Sequence, residues 1–138
     1  MTISSFDDLL LAACEQPQGQ RLLLVFASAD LPDDATPEQR ADFAQGAGGA
    51  LVPAMCVDKT PDEIGNFERL TEEARQFAAP WRVLFASSLS GAGDAPPTSK
   101  AAEPALQRMV DAIKQGAFAN MIAFDTQGDA ISLESREP

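Results

Sequence analysis

Seven side chains in this sequence have the types and positions from which a reactive or binding crevice could be built: Ser28, Asp30, Asp58, Lys59, Ser87, Ser88 and Ser90. Each lies at or just beyond the end of an apolar run that reads as a strand. Ligands of open α/β sheets collect beyond the carboxyl ends of the strands, so these hydroxyls, carboxylates and one amine would gather near one edge. A strand-end carboxylate such as Asp58 can act as a nucleophile, with Ser87 as a hydroxyl for an anionic group. Against this stands the plainer reading that serines and prolines belong in solvent loops, with no reaction attached.

Much other chemistry is excluded. The chain has no histidine, so it can form no Ser-His-Asp or Cys-His arrangement and no imidazole metal site. Cys14 and Cys56 make no CxxC pair and cannot complete a thiolate zinc site. Both read as small buried hydrophobes, with a reactive Cys56 as the other reading. The loop Ser90-Gly91-Ala92-Gly93-Asp94 lacks the Gly-Lys-Ser/Thr end of a phosphate loop, and Asp94 would repel phosphate. The neighbouring acids Asp7/Asp8, Asp33/Asp34 and Glu72/Glu73 read as caps and solvated loops rather than converging carboxylates. No cofactor and no metal are expected.

The elements that must position these residues follow from local pattern. Ser5 caps a first helix with Phe6, Leu9, Leu10 and Ala13 on one face. Residues 22–27 form an unbroken apolar run, the mark of a strand buried on both faces. Thr36-Pro37-Glu38-Gln39 opens a short helix, and residues 51–57 form a second strand in which Pro53 implies an edge, a bulge or a late entry into pairing. Thr60-Pro61-Asp62-Glu63 opens a helix with Ile64, Phe67, Leu70, Ala74 and Phe77 as its stripe. Residues 81–86 give a third strand, and a long glycine- and proline-containing loop follows. A last helix has Leu106, Met109, Val110 and Ile113 inward. Residues 121–124 give a fourth strand, a turn surrounds Gly128, and Ile131-Ser132-Leu133 reads as an edge strand.

The order α-β-α-β-α-β-α-β-β predicts a single α/β domain over residues 1–138. Its sheet would be mixed, mainly parallel, of about five strands with helices on both faces. A two-layer α+β arrangement is the alternative. Loops at 29–35 and 88–98 and a tail at 134–138 are expected to be flexible. Val25-Phe26-Ala27-Ser28 and Leu84-Phe85-Ala86-Ser87 nearly match, and each opens a strand–loop–helix–strand unit ending in Asp58 or Asp125. Segments 21–58 and 82–125 thus read as a duplicated unit, with chance reuse of apolar residue types as the competing explanation. Duplication would place Ser28 and Ser87 at equivalent strand ends.

With 10 basic and 21 acidic residues the formal charge is −11. That field disfavours nucleic acid and anionic membrane surfaces as partners and favours solubility. No apolar run reaches the length of a membrane span, and the start of the chain lacks a secretory pattern, which gives an expected cytoplasmic location.

Ser4-Ser5-Phe6-Asp7-Asp8-Leu9-Leu10 and the stretch Gly48-Gly49-Ala50-Leu51-Val52-Pro53-Ala54-Met55-Cys56-Val57-Asp58-Lys59-Thr60-Pro61-Asp62-Glu63 resemble a small proteobacterial family of unknown function. The likeness continues through residues 106–114 and Ala123-Phe124-Asp125. Members of that family are often labelled ribonucleotide reductase alpha subunits. Reductase chemistry needs a large barrel with several redox-active cysteines and radical-transfer tyrosines, whereas this chain has two cysteines and no tyrosine. The helix, apolar strand and Leu-Val-Pro strand also resemble the enhanced serine-sensitivity protein family, which implies an antiparallel first pair of strands and no site residues. Asp58-Lys59-Thr60 is similar to the opening of the phospho-aspartyl motif of ion-pumping ATPases, but Pro61 stands where that motif has glycine.

The sequence therefore supports a cytosolic, non-catalytic protein-interaction or regulatory domain. The alternative is a small-molecule-binding protein or hydrolase that uses the serine-rich crevice.

Overall fold

The computed structural model describes residues 3–30, 36–38, 50–76, 81–118 and 121–131. Its elements are α1 (Phe6–Cys14), β1 (Gln20–Asp30), β2 (Ala50–Lys59), α2 (Pro61–Ile64), α3 (Phe67–Arg75), β3 (Val83–Ser90), α4 (Ser99–Lys114), β4 (Ile122–Phe124) and β5 (Ala130–Ile131). The helix expected after Thr36-Pro37, the loop acids Asp33 and Asp34, Phe77 and the tail at 134–138 lie wholly or largely outside the described residues.

Polar caps set the helix boundaries. Ser5 Oγ accepts from the Asp8 amide, and Thr60 and Glu63 form a reciprocal capping box. The single helix expected from residue 61 onward is two. Gly65, at φ +76°, turns the chain out of α2, and the Asn66 side chain caps α3 by accepting from the Arg69 amide. Gly116 closes α4 in the same left-handed conformation, with the Ala117 amide reaching back to the Ala112 carbonyl.

The five strands run in the order β2-β1-β3-β4-β5, and every pairing is antiparallel. This overturns the mainly parallel sheet expected from the sequence, while an α+β class fits. Strands 22–27 and 83–86 are apolar on both faces because helices cover both faces, and that condition is independent of strand direction. The strand–helix–strand unit β2–α2–α3–β3 does exist, and its two strands run the same way. However, β1 is inserted between them, so each pairs with β1 and not with the other.

Alternation along β1 divides the interior. Leu22, Leu24 and Phe26 pack with Phe6, Leu10, Ile64, Leu70, Leu84 and Phe124 beneath α1, α2 and α3. Leu23, Val25 and Ala27 pack with Val83, Phe85, Leu106, Met109 and Ile113 beneath α4. Five aromatic rings stitch the first layer: Phe6 lies 5.4 Å from Phe124 and 5.6 Å from Phe67, and Trp81 lies 5.0 Å from Phe26. Edge-to-face pairs of this kind add about 0.5–1.5 kcal/mol each beyond area burial. Phe26 and Phe85, the matched phenylalanines of the two similar tetrapeptides, face opposite layers.

Pro53 marks β2 as an edge, and there is also a bulge. Phe26 pairs with Met55 and Ala27 with Pro53, which leaves Ala54 as the extra residue. The fold thus leaves one long strand at the border of the sheet.

Candidate functional site

One end of the sheet collects the termini of β2 and β3 and the start of β1. Two transverse rows cross it. Lys59, Leu22 and Ser88 form one row, and Asp58, Leu23 and Ser87 form the next, on the opposite face. Ser90 stands beside Gln20. Five of the seven candidate residues therefore share this end, split between two faces. Ser28 does not join them. It pairs with Val52, five positions along β1 from the Leu23–Ser87 row, a separation of roughly 17 Å at about 3.4 Å per residue. Asp30 is further still, opposite Ala50, and its side chain lies outside the described residues. Ser28 sits near the end of β1 and Ser87 midway along β3, and because the strands oppose, the two serines lie well apart along the sheet and on opposite faces.

The grouped side chains are engaged with one another. Gln20 is 7% exposed, and its amide donates to Ser90 Oγ at 2.9 Å while its carbonyl oxygen accepts from Ser88 Oγ at 2.6 Å. A buried amide needs such partners, and here the serines supply them. On the other face Arg21 donates to Asp58 Oδ1 at 2.8 Å and, through Nε, to the Pro97 carbonyl at 2.6 Å. Ser99 Oγ donates to Asp58 Oδ2 at 2.9 Å. Both carboxylate oxygens of Asp58 are occupied, which fastens the start of α4 and its preceding loop to the sheet. Lys59 pairs with Glu73 of α3 at 3.0 Å. Among the described residues no group of three or more acids, cysteines or histidines is placed to hold a metal ion.

The electrostatics follow from the caps. The Thr60 amide holds the Glu63 carboxyl below its ordinary value, with help from the Thr60 hydroxyl and from Arg21 and Lys59. The Ser4 hydroxyl and amide lower Asp8 in the same way.

Hollows open among the described residues on the α1–α3 side. One, about 480 Å³, lies between the end of α1, the start of α2 and the 94–96 loop, and its lining includes Cys14, Gln18, Asp62 and Asp94 but no cationic side chain. A second, about 280 Å³, lies between β2 and α3 and is mostly apolar, with Met55, Val57, Leu70 and Ala74 as its walls and Lys59 and Glu73 at its rim. A third, about 300 Å³, carries Glu63, Glu72, Glu73 and Arg69. None of the expected serines lines any of these.

Both cysteines are exposed, contrary to the expected burial. Cys14 ends α1 beyond its apolar face, and Cys56 lies on the border strand β2. Arg21, Gln20 and Ser99 were not legible as site residues. The signal for the first was present, since a charged residue opening a strand that is otherwise apolar on both faces requires a partner.

No protein-family model, curated protein or solved structure matches this chain.

Proposed function

We propose that this chain is a non-catalytic protein-interaction domain whose working surface is the β2 border of the sheet. The observation that carries the reading is β2 itself: ten residues long, at the border of the sheet, with Val52, Ala54 and Cys56 exposed and an apolar hollow alongside. Among the described residues no strand pairs with the outer side of β2. Such an edge is a template for another chain, narrowed here by Pro53 and the bulge at Ala54 to the half of β2 that follows them. The hydrolase alternative gains no comparable support, because Ser88 and Ser90 spend their hydroxyls on Gln20 and Asp58 is bound on both oxygens. The likeness to a proteobacterial family of unknown function is compatible with this reading and supplies no residue of its own.

The test is site-specific photo-crosslinking of the full chain in native lysate. A photoreactive residue at position 54 should give discrete adducts with another protein, and one at the exposed Glu103 of α4 should not. Equal adducts from both positions, or none from either, would overturn the reading.

A further inference from the structure

We draw no further inference here: the strongest candidate, the cleft of about 480 Å³ between the end of α1, the start of α2 and the 94–96 loop, offers only the exposed acids Asp62 and Asp94 beside the lone thiol of Cys14, and among the described residues no buried, unpartnered polar side chain points into it to say what it would hold.

Discussion

Arg21 and Asp58 meet across the β1–β2 ladder at 2.8 Å, with side chains only 14% and 12% exposed. The pair does more than join two strands. Arg21 also holds the Pro97 carbonyl, and Asp58 receives the Ser99 hydroxyl, so one ion pair ties the loop before α4 to the sheet end. Removing one member of a largely buried, hydrogen-bonded pair leaves the other without compensation. Asp58→Asn should therefore lower unfolding free energy by about 1–3 kcal/mol in urea denaturation. Arg21→Met combined with Asp58→Asn should cost less than the two single changes added together. Strict additivity would show that the pair contributes no coupling. The same variant is the natural check for an aspartyl nucleophile, so any lost activity must be read beside this loss of stability.

Glu63 gives a pH-dependent counterpart. Its folded-state carboxyl is held below the ordinary value of 4.5, chiefly by the Thr60 amide. A depressed pKa means that the unfolded chain takes up the proton first on acidification. The stabilisation is therefore complete above about pH 4.5 and is lost as pH falls through the lower, folded value. Glutamine can still cap, so Glu63→Gln removes the charge and keeps much of the geometry. The urea midpoint of wild type should exceed that of Glu63→Gln at pH 7, and the gap should close below pH 4.5. A gap that stays constant down to pH 3 would remove the carboxylate from the account.

Local structure was legible in this sequence, and pairing was not. Ser5 and Thr60 announced their helices because a cap is a contact between residues three apart. Pro53 points to an edge, a bulge or a late entry into pairing because its missing N–H is a property of one residue, and β2 has both the border position and the bulge. Strand direction depends on where the chain returns, and the apolar runs at 22–27 and 83–86 contain only the information that both faces are covered. Bringing Ser28 and Ser87 together requires parallel strands, and antiparallel pairing separates them along the sheet. Gly65-Asn66 was the local signal for a helix break, but the apolar stripe running through Ile64, Phe67 and Leu70 masked it, because both short helices face the same layer.

The exposed thiols make a direct check on side-chain placement. Cys14 and Cys56 should both react with a thiol-specific chromogenic reagent in native buffer, and adding denaturant should not raise the number titrated. Thiols that appear only in urea would contradict the described surface.

The turn between β4 and β5 rests on one glycine. Gly128 has φ +86°, and a Cβ there would lie 2.9 Å from the Phe67 ring. Its carbonyl accepts from the Phe6 amide at 2.8 Å, and Ala130 N–H donates to the Ser4 carbonyl at 2.9 Å, so the turn and the start of α1 are fastened together. Phe67 cannot withdraw freely, because it also packs against Phe6 and Trp81. Gly128→Ala therefore meets both a left-handed backbone and a crowded ring, at a cost of about 2–4 kcal/mol. Gly93→Ala is the matched control, since φ there is +59° but a Cβ would meet open space. It should cost only the backbone share, about 1–2 kcal/mol. Thermal and urea unfolding of the two variants should differ by the steric share. Equal losses would mean that the Phe67 ring moves aside, and that the aromatic cluster under α1 is looser than its contacts imply.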